Sequence, residues 1–201
     1  MYCQKIINNV FEPNSFRYLE LGLGDEVRYK EVHTDNKISV DINGRASFNE
    51  GTDKFFEDYK LINGDNRKFD CIYVDASHEY KQVTKDYNNG INFLKKNGII
   101  FIHDLYPPDK NHCSINSCGD GFKLLYHFNK IGVNYRTIPE EFGLTCIFKN
   151  DLKKIDIEEV ENISYEQFTA GKEFYRTVDS EHLVDLIITM KNIDIRIKTP
   201  Q

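Results

Sequence analysis

Short apolar runs that alternate with longer amphipathic stretches constrain the fold of this chain more than any other feature. The runs are rich in Ile, Val, Tyr and Phe, as are strands of a parallel sheet that is buried on both faces. We predict four such strands, at 17–21 (RYLEL), 37–42 (KISVDI), 69–75 (FDCIYVD) and 98–104 (GIIFIHD). A weaker run predicts an edge strand, and two later runs predict an antiparallel pair at the sheet edge; these lie at 46–48, 133–138 and 144–148.

Helices are predicted between these strands, because apolar side chains recur there at helical spacing, at 52–62, 79–94 and 121–131. The alternation predicts a doubly wound α/β fold with a mostly parallel, seven-stranded sheet. We assign 1–150 to this domain and 151–201 to a helical C-terminal extension, with a capping box at 164–167 (SYEQ) and a second helix at 180–190. The extension is expected to dock on the domain or on a partner subunit of a homo-oligomer.

Composition excludes several classes of protein. The 26 basic and 32 acidic residues give a net charge of −6 without a long basic run, which argues against nucleic acid or an anionic membrane as a partner. The first eleven residues are too polar for a signal peptide or a membrane-spanning helix, so we expect a cytoplasmic protein. The cysteines are odd in number and scattered, which favours reduced thiols; they are Cys3, Cys71, Cys113, Cys118 and Cys146. Cys113 and Cys118 with His112 would make only an incomplete zinc set.

A glycine turn follows the first predicted strand, in the sequence ELGLGD. Gly22 and Gly24 let the backbone turn tightly and approach a ligand closely. A dinucleotide-binding loop would carry a third glycine where Val27 stands, and the carboxylates of Glu20 and Asp25 would repel a diphosphate, which disfavours a nicotinamide oxidoreductase. The same carboxylates favour a cationic ligand. S-adenosylmethionine has the expected charge, because it carries a sulfonium and an ammonium and no phosphate.

Further cofactor contacts are expected at the next strand and helix. Asp41 ends the second strand, at about the distance past the glycines where an acid accepts hydrogen bonds from ribose hydroxyls. Thr52 and Asp53 open the following helix and could contact the adenine amine, although a plain helix cap explains them equally well. Glu20 and Asp41 could also be ordinary strand-end acids beside an ordinary turn. Their shared position at the ligand-binding edge of an open α/β sheet favours the cofactor interpretation.

Several stretches of the chain carry a family resemblance, in this order: YLELGLGD (18–25), ISVDI (38–42), KFDCIYVDASHEYKQVTKDYNNGINFLKKNGIIFIHDLYPP (68–108), GDGFK (119–123) and FGLTCIF (142–148). They resemble class I S-adenosylmethionine-dependent methyltransferases, in particular macrocin-type sugar O-methyltransferases and cephalosporin hydroxylase-like proteins. The tail motif YEQF (165–168) resembles the carboxyl end of bacterial relatives associated with surface-sugar synthesis. The resemblance implies a Rossmann-like methyltransferase fold and a sugar hydroxyl as the acceptor. The helix after the glycine turn is shorter than in the family, and the amino-terminal extension is nearly absent.

The predicted reaction site lies where two neighbouring parallel strands end. Asp75 and His78 follow one strand, while His103 and Asp104 end the next, so these side chains are expected to lie close together, with Asp75 also contacting the cofactor. One Asp from each strand with His103 between them could hold a divalent cation, either Mg²⁺ or, because an imidazole is in the set, Mn²⁺. The resemblance implies that His78 is the general base that removes the acceptor proton. Alternatively, both histidines cap strand ends or bind backbone carbonyls.

The expected function is therefore O-methylation of a sugar or a nucleotide-linked sugar. Two alternatives are methylation of another small molecule, such as a phenol or an antibiotic precursor, and a non-catalytic accessory protein that keeps the cofactor site. Tyr106, Pro107 and Pro108 form a rigid loop that could line the acceptor pocket or serve only as a turn. Asp120 is expected to cap a helix rather than to contact the acceptor.

Overall fold

The computed structural model of the chain describes residues 3–24, 26–64, 67–148, 152–160 and 162–198. The strands are β1 (Tyr18–Leu21), β2 (Lys37–Val40), β3 (Phe69–Val74), β4 (Leu94–Ile102), β5 (Tyr135–Ile138) and β6 (Leu144–Phe148). The helices are α1 (Cys3–Val10), α2 (Val27–Glu31), α3 (Thr52–Asn63), α4 (Tyr80–Phe93), α5 (Phe122–Ile131), α6 (Tyr165–Ala170) and α7 (Ser180–Lys198). Short 3₁₀ turns lie at Lys110–Cys113, Ile157–Val160 and Lys172–Phe174.

These strands form one sheet in the order β2-β1-β3-β4-β6-β5. The first four run parallel, and β6 runs antiparallel to both β4 and β5. The predicted α/β class and the antiparallel pair at the sheet edge are thereby confirmed. After β2 the chain returns to the other side of β1 to form β3. This reversal of strand order creates a crevice at the carboxyl ends of β1 and β3, which is where open α/β sheets bind ligands.

The prediction of seven strands is wrong for the described residues, which contain six. The segment at 46–48 makes a single bridge, between Val40 and Phe48, and no ladder. Its other backbone N–H groups donate to side chains instead: Ala46 to Asn49 Oδ1 at 3.0 Å and Ser47 to Ser39 Oγ at 3.0 Å. Because the amides are used locally, the segment forms a turn beside β2 rather than a further strand.

The start of β4 also differs from the prediction. Helix α4 ends at Phe93, and Leu94 already pairs with Phe69, four residues before the predicted start of the strand. The register then shifts between Phe69 and Cys71, which marks a bulge. Gly98 lies inside this irregular part, where a Cβ would come within 2.6 Å of Leu94 Cγ. Gly98, predicted as the first residue of the strand, therefore makes room for a side chain within it.

Side chains alternate across the sheet and enter two separate cores. Leu19, Leu21 and Ile72 belong to the core beneath α3, α4, α5 and α6. Tyr18 and Tyr73 face the other core, which contains residues of α1 and α7. Helices therefore cover both faces of the sheet, as a doubly wound fold requires.

The C-terminal segment packs on the rest of the chain. The predicted capping box is confirmed at the start of α6, where Ser164 Oγ accepts from the Gln167 amide and the Gln167 side chain accepts from the Ser164 amide. Helix α7 begins at the predicted Ser180 and contacts α1, with Leu183 and Ile187 fully buried. The division into 1–150 and 151–201 stays a proposal. No helix among the described residues combines the length and the apolar character needed to span a bilayer.

Candidate active site

A cleft of about 450 Å³ opens at the carboxyl ends of β1, β2 and β3, a size typical of small-molecule sites. Its lining contains six of the residues predicted to bind the cofactor: Gly22, Gly24, Asp41, Thr52, Asp53 and Asp75. The remaining lining residues are Val40, Ile42, Asn43, Glu50, Gly51, Ala76, Ser77, His78 and Gln82. The lining thus includes four carboxylates and no Lys or Arg.

Gly22 sets the shape of the cleft at the end of β1. Its φ of 89° lies in the left-handed region, and a Cβ at this position would overlap the backbone carbonyl of Asp75. The two strand ends are held together by the Asp75 amide, which donates to the Leu21 carbonyl at 2.7 Å. Only glycine permits both this backbone conformation and this close approach.

Asp41 holds the two loops that border the cleft. One carboxylate oxygen accepts from the Leu23 amide at 2.8 Å, and the other accepts from the Asn43 amide at 2.8 Å. The side chain therefore has a fixed orientation at the end of β2, with lone pairs left for a further donor. The neighbouring Asp25, predicted to add negative charge, lies outside the described residues.

Thr52 does not act as a helix cap. It is the first residue of α3, and the cap position before it is Gly51, which has no side chain to contribute. The Thr52 hydroxyl donates instead to Asp86 Oδ1 at 2.5 Å. Gln82 Nε2 donates to Thr52 Oγ1 and to Asp86 Oδ1, at 3.1 Å each. Burial raises the pKa of Asp86 to about 6, against the effect of these hydrogen bonds.

Gln82 was not predicted as a site residue, although it lines the cleft beside Thr52 and Asp53. The only sequence signal available is its position two residues after Tyr80, in the stretch that follows Asp75 and His78. Nothing in the local pattern shows that α4 lies against the first turn of α3.

Glu20 does not line the cleft, and it lies on the same face of the sheet as Tyr73 and Asp75. It alternates with Leu19 and Leu21 along β1, so its side chain points towards the α1–α7 core, where it is 2% exposed. Its carboxylate accepts from the Tyr18 hydroxyl at 2.6 Å. Burial raises the pKa of Glu20 to about 7, and the Tyr18 hydrogen bond opposes this increase. Glu20 is therefore buried in this core and is not part of the cleft lining, although its charge interacts with that of Asp75.

The predicted reaction residues do converge, at the ends of β3 and β4. His78 Nε2 lies 3.0 Å from Asp104 Oδ2 and 3.9 Å from Asp75 Oδ1. His103 Nδ1 lies 3.1 Å from Asp104 Oδ1 and 3.6 Å from Asp75 Oδ1. Among the described residues, the group whose ligand atoms all lie within 4.8 Å of one another is Asp75, His78 and Asp104. This group has His78 where the sequence prediction had His103.

The charges within this cluster stabilise one another. Burial alone would raise the pKa of Asp104, but hydrogen bonds from His103 and His78 lower it to about 2. Burial lowers the pKa of His103, and hydrogen bonds to Asp104 and Asp75 overcome this effect and raise it to about 10. The pKa of His78 is also raised, chiefly by its hydrogen bond to Asp104. Asp104 therefore forms the negative centre between two imidazoles.

Two residues that were not predicted as site residues, Tyr73 and Arg28, contact the Asp75 carboxylate oxygen that is not the one near the histidines. The Tyr73 hydroxyl donates to Asp75 Oδ2 at 3.0 Å, and Arg28 Nη1 lies 3.5 Å from the same oxygen. Arg28 also donates to the Tyr73 hydroxyl at 3.2 Å. Tyr73 precedes Asp75 by two positions on the strand, which puts both side chains on one face. The two-residue spacing could have identified Tyr73 from the sequence. The contact of Arg28 with Asp75 could not, because it depends on how α2 packs against β3.

The loop before α5 fixes the position of His78. The His78 Nδ1 atom lies 3.2 Å from the Ile115 carbonyl, and the Asp120 amide donates to the His78 carbonyl at 3.1 Å. Asp120 does cap a helix, but the helix is α4, because its carboxylate accepts from the Tyr80 amide at 2.5 Å. Gly119 packs directly on the His78 backbone.

The incomplete zinc set does not assemble within the described part of the chain. The His112 imidazole binds Asp109 Oδ1 at 3.0 Å, and the thiol of the buried Cys118 has a weak contact with the Ser117 hydroxyl. All five cysteines are free, in agreement with the predicted reduced thiols.

Comparison with known proteins adds a family match. Residues 29–105 match a family model described as a methyltransferase domain. No curated protein sequence matches the chain. The fold is similar to the MycE methyltransferase from the mycinamycin biosynthetic pathway, solved with Mg, SAH and mycinamycin VI: 16% identity over 81% of this chain and 50% of that chain, with a TM-score of 0.44.

Two further solved structures are similar. SMU.776, complexed with SAH, has 13% identity over 72% of this chain and 47% of its own, with a TM-score of 0.48. The sugar N-methyltransferase KedS8 from Streptoalloteichus sp. has 11% identity over 52% of this chain and 47% of its own, with a TM-score of 0.38. The chain thus spans about half the length of each of these three proteins.

The matched segment contains most of the residues that line the cleft, whereas Gly22 and Gly24 precede it. It includes β2, β3 and β4, and it ends one residue after Asp104. The match therefore indicates a methyltransferase domain in residues 29–105 of the chain.

Proposed function

We propose that this chain methylates a hydroxyl oxygen of a small acceptor, with a sugar or a nucleotide-linked sugar as the first acceptor class to be tested. One observation carries the proposal. Asp75 lines the cleft and belongs at the same time to the group with His78 and Asp104. A methyl donor in the cleft and an acceptor at this group would therefore be neighbours, as an in-line displacement requires.

The charge of the cleft suits the cofactor. Its lining contains four carboxylates, those of Asp41, Glu50, Asp53 and Asp75, and no lysine or arginine. Lys54, Lys85 and Arg28 lie within 4 Å of Glu50, Asp53 and Asp75 from outside the lining, so it is the lining itself that favours a cation over a diphosphate. Asp41 keeps lone pairs for ribose hydroxyls at the end of β2. When bound, S-adenosylmethionine supplies an electrophilic methyl group on a sulfonium.

His78 is the proposed general base. Both ring nitrogens of His78 face oxygen acceptors, the Ile115 carbonyl and the Asp104 carboxylate, which favours the protonated imidazole. His78 takes the hydroxyl proton in its neutral form, with Nδ1–H on the Ile115 carbonyl and the Nε2 lone pair directed at the acceptor hydroxyl. The acceptor oxygen then bonds to the methyl carbon as the carbon–sulfur bond breaks. Asp104, 3.0 Å from Nε2, stabilises the imidazolium that results. Tyr73 and Arg28 keep Asp75 in place beside this pair.

The same group also fits a divalent cation. Asp75, His78 and Asp104 each offer one ligand atom, and the Ile115 carbonyl orients the imidazole as an outer partner of a metal-ligating histidine does. Two carboxylates and one imidazole suit Mn²⁺ better than Mg²⁺. When bound, the ion supplies a positive charge that stabilises a forming alkoxide. Nε2 has a single lone pair, so His78 is either base or ligand at one time.

The test measures release of S-adenosylhomocysteine with hydroxylated sugars, nucleotide sugars and phenols, and binding of S-adenosylmethionine by calorimetry. We expect turnover with a sugar class, and we expect His78→Ala to lower kcat roughly 100-fold or more while the Kd for S-adenosylmethionine stays unchanged. Removal of metal with EDTA, followed by addition of Mn²⁺ or Mg²⁺, distinguishes a role of His78 as metal ligand from a role as general base. If His78 is a ligand, EDTA abolishes turnover of the wild-type protein.

Other outcomes would assign a different function to the protein. Turnover only with phenols would move the acceptor to the alternative small-molecule class. Binding of S-adenosylmethionine without turnover on any acceptor would support the accessory-protein alternative. Tight binding of NADH in place of adenosyl compounds would overturn the proposal altogether.

A further inference from the structure

The C-terminal segment contacts the loop that follows Asp104, which we call the acceptor loop (residues 105–108). Helix α6 and the 3₁₀ turn after it place aromatic rings against Tyr106. The ring centroids of Phe168 and Tyr175 lie 5.8 and 6.2 Å from that of Tyr106, in edge-to-face geometry. Phe168 is fully buried, so this contact is part of the core.

Lys172 makes the polar contacts of this interface. Its ammonium donates to the carbonyls of Pro107 at 3.4 Å and Pro108 at 3.5 Å. It also lies 4.9 Å from the ring centroid of Tyr106, within the range of a cation–π interaction. The Tyr165 hydroxyl donates to the Pro107 carbonyl at 3.4 Å. One charged group thus holds both prolines and the tyrosine of the acceptor loop.

Asp104, which connects the end of β4 to the acceptor loop, has a strained backbone conformation. Asp104 has a φ of 63°, in the left-handed region that costs a non-glycine residue about 1 kcal/mol or more. Such a conformation persists only when the surroundings impose it from both sides. On one side, His78 and His103 hold the Asp104 carboxylate. On the other side, the backbone continues directly into the loop that Lys172 binds.

We infer that Lys172 is a positioning residue for the reaction: by holding Pro107 and Pro108, it keeps the acceptor loop in place and Asp104 in its left-handed conformation beside His78. The inference rests on the proposed function for its effect on catalysis. It gives the C-terminal extension a role in the site, although none of its residues belongs to the Asp75–His78–Asp104 group. The binding of S-adenosylmethionine should depend little on Lys172, because the cleft lies at β1, β2 and β3.

The test compares full-length Lys172→Met and Lys172→Arg with wild type. Methionine keeps most of the length of the side chain and removes the charge, and arginine restores charge and donors. Amide hydrogen exchange at Leu105, Tyr106 and Asp109 reports directly on the loop. The matched control is Lys153→Met, because Lys153 also donates to a backbone carbonyl, that of Ile131 at 2.9 Å, away from the site.

We expect Lys172→Met to speed exchange at these amides roughly tenfold, as loss of a cation–π contact with its hydrogen bonds implies. Acceptor kcat/KM should fall by a similar factor, while the Kd for S-adenosylmethionine stays within about twofold. Lys172→Arg should recover most of both losses, and Lys153→Met should change neither. Tyr165→Phe, a smaller change that removes one hydrogen bond, should shift loop exchange in the same direction.

Unchanged exchange of the acceptor loop in Lys172→Met would overturn the inference. So would a uniform rise in exchange across the chain that Lys172→Arg does not reverse, because that result marks a general structural role. If wild type turns over no acceptor, the proposed function fails, and loop exchange still decides the role of Lys172.

Discussion

Gly119 controls the position of His78 through direct backbone contact. Its φ of 57° is left-handed, and a Cβ on this residue would overlap the His78 carbonyl oxygen. The next amide, that of Asp120, donates to the same oxygen at 3.1 Å. A residue far along the sequence therefore supports the proposed base.

Gly119→Ala should destabilise the protein and displace His78. The left-handed backbone costs about 1–2 kcal/mol, and the overlap should add about 1–3 kcal/mol. Gly132→Ala is the matched control, because Gly132 has a φ of 72° with no atom within 4 Å of a built Cβ. Denaturant unfolding should show the larger loss for Gly119→Ala, and turnover should fall in that variant alone. Equal losses in both variants would show that backbone strain accounts for the whole effect.

Glu20 predicts a pH dependence of stability. Because its folded pKa of about 7 exceeds the usual 4.5, its stabilising contribution is complete below pH 4.5 and is lost as the pH rises to about 7. Glu20→Gln removes this titration and keeps an acceptor for the Tyr18 hydroxyl. The stability of Glu20→Gln relative to wild type should therefore increase by roughly 3 kcal/mol between pH 4 and pH 8. Chemical denaturation at both pH values checks this, and a constant difference would contradict it.

At the scale of elements, α6 is the short helix that carries Tyr165 and Phe168 to the acceptor loop. It has only six residues, so its own hydrogen bonds do little to stabilise it. The reciprocal capping box at Ser164 and Gln167 satisfies its first amides. The position of the aromatic rings therefore depends on this cap and on packing.

Ser164→Ala should lower the free energy of unfolding by about 1 kcal/mol, because it leaves the Gln167 amide without its partner. Thr169→Ala is the control within the same helix. The Thr169 hydroxyl donates only to the Glu166 carbonyl, so its loss should cost less than about 0.5 kcal/mol. Urea denaturation of the two variants measures the difference. Similar losses would mean that the capping box does not stabilise α6.

At the scale of the whole molecule, the sheet has a separate core on each face. The α1–α7 face joins the first described helix of the chain to the last one, with Ile6 and Ile7 of α1 and Leu183 and Ile187 of α7 in one core. The C-terminal extension thus supplies part of a core whose apolar surface residues 1–150 alone would leave exposed to solvent. We propose that the extension and the domain unfold together.

Leu183→Ala should lower the free energy of unfolding by about 2–5 kcal/mol, because it removes a fully buried side chain beneath the sheet. Ile188→Ala, at a position 37% exposed on the same helix, should cost much less. Thermal unfolding followed by circular dichroism should show one transition that shifts as a whole. Two separate transitions would mean that 151–201 behaves as an independent unit.

The sequence by itself determined the α/β class, the four parallel strands, and the convergence of Asp75, His78, His103 and Asp104. These follow from local rules, because apolar runs predict buried strands and the ends of neighbouring parallel strands meet at one edge. The capping box of α6 was readable for the same reason, since it involves residues three positions apart.

Only the tertiary structure decided which side chains share a surface. Glu20 is buried in the α1–α7 core because it alternates along β1 with Leu19 and Leu21, which pack in the other core. Thr52 binds Asp86, and Lys172 binds Pro107 and Pro108, across 34 to 65 positions of sequence. Such contacts depend on how helices and loops pack against one another, which no local pattern of residues encodes.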